Sequence, residues 1–306
     1  MKLVFFGHGT RGALCLDALL RADFDVAAIV GQPGINDELS NASPLRQCAR
    51  DHDIAWICPA TLKHTITLRT LARFDADLFI LAGYTKILPP SALALARRGC
   101  INLHGGRLPQ YRGGSPINWQ IINGELRGAC TILYADEGID TGPVIASEEF
   151  LIGPDETAGD ITDKTLRIFP PLLVRVLREL EADTAVATPQ DLTAGSYYVK
   201  RYPEDGAIDW SRLDDQQVHN LVRGLTGPGL PGAFCRFGRR KVAIRSSRRL
   251  AETVLGPAGR IGPTRGDGVV VICRNRGLLV ESVEIDGEIL PARAVLKRRE
   301  KRQCTK

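Results

Sequence analysis

Three residues in this chain have types and spacing that suit acyl transfer. In CINLHGG, Asn102 and His104 lie two apart where an apolar run breaks into glycines. In an extended strand both side chains then face the same side. Further on, DEGIDTG carries Asp140 just before a Gly-Pro turn, from which an aspartate can fold back toward His104. A neutral amine that attacks a carbonyl must lose a proton, and a histidine titrating near neutrality can take it. The carbonyl oxygen becomes an oxyanion, which an amide N–H can stabilise. A carboxylate can orient the imidazole and stabilise its charged form. No Ser or Cys nucleophile is needed if the amine attacks directly. Cys100 shares the face of Asn102 but lies deeper, and reads as core. Spacing alone leaves catalysis open against a plainer alternative, loop residues that cap helices or stay solvated.

The surrounding pattern says what must position these groups. KLVFF, FDVAAIVG, IAWICPA, DLFILAGY and GCINLH are short apolar runs. Between them, TRGALCLDALLRA, PLRQCARDHD and LKHTITLRTLARFDA have helical spacing, and Pro89-Pro90 opens a further helix ending at Arg98-Gly99. Such alternation predicts βαβ units and an α/β fold with a doubly wound, mostly parallel, Rossmann-like sheet. Gly105 and Gly106 let the chain turn at the strand end, and Pro109, Arg112, Gly113, Gly114 and Pro116 predict a rigid polar loop above it. The alternation fades after about residue 185. GSYYVKRYPEDGAIDWSRL suits a linker, and DDQQVHNLVRGL one amphipathic helix. GAFCRFG, KVAIRSS, GVVVIC and GLLVESVEI predict the strands of a small OB-like β-barrel. The expected division is a catalytic domain over 1–188, a linker over 189–205 and the barrel domain over 206–306.

The chain has 306 residues, enough for two domains. The start lacks the order of a signal peptide, and no stretch reaches the roughly 18 unbroken apolar residues of a membrane helix. The cytoplasm is the expected location. Eight cysteines are scattered without a CxxC pair, and the five histidines (His8, His52, His64, His104, His219) are dispersed, so neither a disulfide frame nor a metal site is expected. GHGTRG (7 to 12) matches a dinucleotide-binding turn, but the second strand ends in Val30, Gly31, Gln32 and Pro33, with no carboxylate for a ribose. A dehydrogenase therefore ranks below a tight strand-to-helix turn, with His8 at a site mouth. Charge is uneven: residues 201 to 306 hold 21 Lys and Arg against 12 Asp and Glu, a balance of +9, and residues 1 to 200 balance at −4. A basic C-terminal part suits an anionic partner, a nucleotide or an RNA, or is a solvated surface with the basic tail KRREKRQCTK.

INLHGGRLPQYRGGSPINWQIINGE followed by DEGIDTG resembles the signature of the formyltransferases that use N10-formyltetrahydrofolate. The likeness runs through nearly the whole chain: ILAGYTKILPP resembles the family segment beside the folate pocket, and GAIDWSRLDDQQVHNLVRGLTGPGLPGAF its linker and barrel entry. The resemblance implies direct formyl transfer to a primary amine, with Asn102 as oxyanion stabiliser, His104 as general base and Asp140 orienting it. It implies N10-formyltetrahydrofolate as co-substrate, with no metal. The folate would meet Tyr84, Thr85, Lys86, Ile87, Leu88 and Leu108 and the loop residues Asp136, Glu137 and Gly138. The acceptor would meet His8, Arg107, Tyr111, Arg112, Gly113 and Ser115. The family usually reads HGSLLP where this chain has HGGRLP, so the role of Arg107 is open: the folate tail, an acceptor phosphate or solvent.

The acceptor expected from the sequence is an amino-sugar nucleotide. Tyr111-Arg112 and the run Pro116 to Trp119 resemble the sugar branch, including the enzyme half that formylates UDP-4-amino-4-deoxy-L-arabinose. Residues 31 to 45 hold no Lys or Arg but do hold Asp37 and Glu38, where the tRNA branch carries a basic insertion; acidic groups there would repel an acceptor stem. The alternative is methionyl-tRNA, which the +9 barrel favours, or another amine such as hydroxyornithine. From a different class, a catalytically idle RNA-binding module is disfavoured by the intact trio. No membrane partner is expected, and self-association is left open.

Overall fold

The computed structural model describes residues 1–33, 43–296 and 304–305. The chain divides into two compact units. The first comprises Met1–Gly113, Ala129–Phe150 and Asp163–Tyr197; the second comprises Gly114–Gly128, Leu151–Thr162 and Tyr198–Lys306.

The first unit opens as the apolar runs predict: β1 (Lys2–Gly7), α1 (Gly9–Arg21), β2 (Asp25–Val30), α2 (Pro44–Asp51), β3 (Ala55–Ile57), α3 (Thr65–Ala72), β4 (Leu78–Ala82), α4 (Pro90–Leu93) and β5 (Cys100–His104). The chain continues through β6 (Arg112–Gly113), α5 (Pro116–Ile122), β7 (Arg127–Tyr134), β8 (Val144–Leu151) and α6 (Ala158–Glu181). The sheet runs β3-β2-β1-β4-β5-β7-β8. β1 pairs in parallel with β2 and β4, and β4 with β5, whereas β7 is antiparallel to β5. The sheet is thus mostly parallel, with its order reversing beside β1.

Phe5, Phe6, Phe79 and Phe169 are fully buried. Each such burial contributes roughly 1.5–3 kcal/mol, which fixes the strands that carry the functional groups at their ends. The glycines of GHGTRG have a packing role. Gly9 adopts φ +60, and a Cβ on Gly12 would lie 3.1 Å from Ala82 O, so α1 seats closely on β4. α4 ends at Leu93 and does not run on to Arg98 as its sequence suggests. The amides of Arg97 and Arg98 donate to Ala76 O and Asp77 O, which draws the chain back into β5.

In the second unit, after β9 (Tyr197–Tyr198) at the join, come α7 (Asp215–Gly224), β10 (Ala233–Phe237), β11 (Arg240–Arg249), β12 (Ile261–Arg265), β13 (Gly268–Ile272), β14 (Gly277–Ile285), β15 (Glu288–Pro291), α8 (Ala292–Val295) and β16 (Cys304–Thr305). The strands form one antiparallel sheet, β12-β13-β14-β11-β10-β16, with β15 on β14. Alternate residues such as Ala233 and Cys235, Val242 and Ile244, Val269 and Val271 enter a core shared with Val218 and Val222 of α7. That period of two is what the sequence offered as a small all-β domain.

Candidate active site

Asn102 and His104 stand at the carboxyl end of β5, and Asp140 in the turn between β7 and β8 comes back to meet them. Asn102 Nδ2 donates to Asp140 Oδ1 at 3.1 Å, and Gly113 N donates to Asp140 Oδ2 at 2.9 Å. His104 Nδ1 lies 3.4 Å from the same Oδ2. On the other side of the ring, His104 Nε2 is 2.6 Å from Tyr111 O. An asparagine amide carries two N–H groups, so one remains on Asn102 for a developing oxyanion. Cys100 is buried two residues below, where burial pushes its thiol well above the ordinary range.

The turn that carries Asp140 is knit to itself. Asp136 Oδ1 accepts from Gly138 N at 3.0 Å and from Thr141 Oγ1 at 2.6 Å. A Cβ on Gly142 would sit 2.0 Å from Tyr134 O, so glycine is required there. Asp140 itself has φ +54, the left-handed region that costs an L-residue about 1–2 kcal/mol. Gln190 Nε2 donates to both Asp140 O, at 3.0 Å, and Gly142 O, at 2.6 Å.

Burial lowers the pKa of His104, Asp140 and the Tyr111 carbonyl oppose that, and the guanidinium of Arg11 adds to the lowering. A neutral imidazole donates from one nitrogen only. A carbonyl oxygen only accepts, so in this arrangement the proton sits on Nε2 and Nδ1 is bare toward Asp140. Proton uptake at Nε2 requires that nitrogen to leave Tyr111 O and the proton to move to Nδ1. Asp140 then holds Nδ1–H, as carboxylates do in hydrolytic triads.

The residues expected to hold folate fall in ordered segments. Tyr84 is buried edge-on to Phe6, its hydroxyl has no hydrogen-bond partner among the described residues, and burial raises its pKa to about 12. Thr85 is fixed by Gln32 through two reciprocal bonds of 2.7 and 2.8 Å. Lys86 Nζ donates to Ala60 O at 3.2 Å. Ile87 is 67% exposed whereas Leu88 is in the core, so of this pair Ile87 presents an apolar surface. Leu108 is half-buried, and Asp136, Glu137 and Gly138 are exposed on the knitted turn. Fixed backbone beside exposed apolar surface suits a flat ring with polar edges.

Of the residues expected to meet the acceptor, His8 precedes α1 without a side-chain cap bond. Arg107 is half-buried and Tyr111 buried. Arg112 Nη2 donates to Leu192 O at 3.4 Å, and its Nε is enclosed without a hydrogen-bond partner among the described residues. Gly113 enters through its amide on Asp140. Ser115 belongs to the second unit, where its Oγ accepts from Arg201 N at 3.3 Å. Sequence reasoning missed Gln32, Arg11 and Gln190. Each acts on backbone or on field, which leaves no motif. Among the described residues, no group of three or more His, Cys, Asp or Glu is placed to hold a metal ion. Also among them, no helix is long and apolar enough to cross a membrane.

Two family models match the chain: formyl transferase over residues 1–177, and the formyl transferase C-terminal domain over residues 200–300. A methionyl-tRNA formyltransferase of Syntrophus aciditrophicus is 33% identical over 290 residues, 94% of this chain and 92% of that protein. One from Ruminiclostridium cellulolyticum is 34% identical over 292 residues, again 94% and 92%. Among solved structures, WlaRD, a sugar 3N-formyltransferase crystallised with dTDP and 5-N-formyl-THF, aligns with a TM-score of 0.69 at 17% identity. That alignment covers 94% of this chain and 98% of WlaRD, a likeness of fold.

Proposed function

The chain belongs to the formyl transferase family, and we propose that the amine it formylates is the amino group of methionyl-tRNA, with N10-formyltetrahydrofolate as donor. The observation that carries the acceptor is the end-to-end likeness to methionyl-tRNA formyltransferases, at 33–34% identity over 94% of the chain. It outweighs the loop argument that favoured an amino sugar, since residues 34–42 of that 31–45 stretch lie outside the described residues. The β10–β11 hairpin supports an RNA partner. Arg236, Arg239, Arg240 and Lys241 are exposed there, and no carboxylate pairs with them among the described residues. Arg236 even stands directly opposite Lys241 in the ladder, an unfavourable pairing that a phosphate would relieve.

In this reading the amine attacks the formyl carbon, the C–N10 bond to the folate breaks, and the departing N10 takes up the proton that His104 has removed from the amine. His104 takes the amine proton at Nε2 once the Tyr111 contact opens. The free N–H of Asn102 meets the oxyanion, and Asp140 stabilises the imidazolium. The donor supplies the formyl group, with its ring against Ile87 and the 136–140 turn. A second reading, an amino sugar on a nucleotide, rests on Tyr111, Arg112 and the run Pro116 to Trp119.

The test is a mass-spectrometric acceptor screen with N10-formyltetrahydrofolate, offering charged initiator tRNA, UDP- and dTDP-linked amino sugars and hydroxyornithine side by side. Formylation of the tRNA alone is expected, with binding that weakens steeply as salt rises. A formyl group appearing on a sugar nucleotide and not on tRNA overturns the acceptor.

A further inference from the structure

We propose that Gln190 is a positioning residue for the reaction, acting through Asp140. The proposal rests on the formyl-transfer reading. Gln190 lies 50 residues beyond Asp140 in sequence but in the same compact unit. One atom, Nε2, donates to the carbonyls on either side of Thr141, at 3.0 Å to Asp140 and 2.6 Å to Gly142. The amide cannot be turned over, because its oxygen would then face two carbonyl oxygens.

Three observations separate this tie from ordinary loop packing. Asp140 sits at φ +54, a left-handed conformation that Asp tolerates better than most L-residues, and here the carbonyls of Asp140 and Gly142 on either side of Thr141 are both tied by one amide. Upstream, Asp136 secures Gly138 and Thr141; the carbonyls of Asp140 and Gly142 are secured by Gln190. If that hold is released, the turn loses the tie that fixes the backbone on both sides of Thr141. The carboxylate then swings from Asn102, Gly113 and His104 together. Finally, Gln190 Oε1 is enclosed without a hydrogen-bond partner among the described residues. A buried acceptor left unsatisfied costs stability, so this side chain serves the turn at that expense.

The test uses the full chain, with kcat and KM measured across pH for the parent, Gln190→Ala, Gln190→Glu, Asp140→Ala and the double variant Gln190→Ala/Asp140→Ala. Gln190→Ala is expected to lower kcat about 10- to 100-fold, the scale of a misplaced catalytic group, with KM for the folate within about twofold. The two losses should not multiply: once Asp140 is gone, Gln190→Ala costs at most about twofold more. Gln190→Glu keeps the size and removes both N–H donors. Its activity relative to the parent should rise as pH falls and the introduced carboxyl regains an O–H. A melting profile close to the parent's separates this from misfolding. Multiplicative losses, an effect on KM alone, or an unchanged kcat overturn the positioning role. A parent that formylates no amine overturns the functional reading, and this proposal with it.

Discussion

His104 is held between a backbone carbonyl at 2.6 Å and a carboxylate at 3.4 Å, and burial lowers its pKa from 6.5. The sign follows from the chemistry. In the proposed reaction a general base must be neutral, so the limb set by His104 should lie below about 6.5, apart from the higher limb set by the acceptor amine, which must also be neutral to attack. Asp140 raises that pKa, so Asp140→Asn should move the limb to still lower pH. The same change replaces an acceptor with an amide that can donate to Nδ1 and fix the wrong tautomer. A loss in kcat of about 10²- to 10⁴-fold is expected, and pH-rate profiles of parent and variant check both parts. An unchanged limb with full kcat would remove Asp140 from the reaction.

The turn that brings Asp140 home works only because of what its glycines lack. Gly142→Ala places a methyl 2.0 Å from a backbone oxygen that cannot move aside. It should destabilise the first unit by at least about 1–3 kcal/mol, read as a lowered denaturation midpoint, and reduce activity beyond the loss of folded protein. Elements differ in how legible they were. β1, β4 and β5 are buried on both faces and read as unbroken apolar runs, as parallel strands do. α6 hides behind Pro170 and Pro171, which lie inside a 24-residue helix and read as a break. α5 begins at Pro116 in a stretch that looks like polar loop. Asn102 and His104 were legible because a strand's period of two puts them on one face. Gln190 was not: its partners are two carbonyls, and any sequence supplies carbonyls.

At the scale of the molecule, acid should act on both units. His219 is buried in the second, with Nδ1 3.0 Å from Ser247 Oγ and Nε2 3.1 Å from Pro154 O and 3.3 Å from Asp155. Burial lowers its pKa below 6.5, Arg223 and Arg249 add to that, and Pro154 O and Asp155 oppose it. The folded chain therefore binds the proton less readily than the unfolded one. Stability from this group is complete above about pH 6.5 and is lost as pH falls below it. Melting temperatures measured from pH 7.5 to 5 should drop on the acid side, and His219→Gln should flatten that drop; an equal slope in both proteins would assign it elsewhere. The interleaving of the two units has a different consequence, for the order in which the chain is made. A ribosome delivers β1 to β5 with α1 to α4 first, before the part of the core that α6 supplies. Phe169 and Leu173 of α6, both fully buried, arrive only after the whole of the second unit's first two segments. Gln190 arrives later still. The first unit therefore cannot close while its own end is unsynthesised, and a nascent chain carries Asn102, His104 and Asp140 without the clamp until translation has passed residue 190.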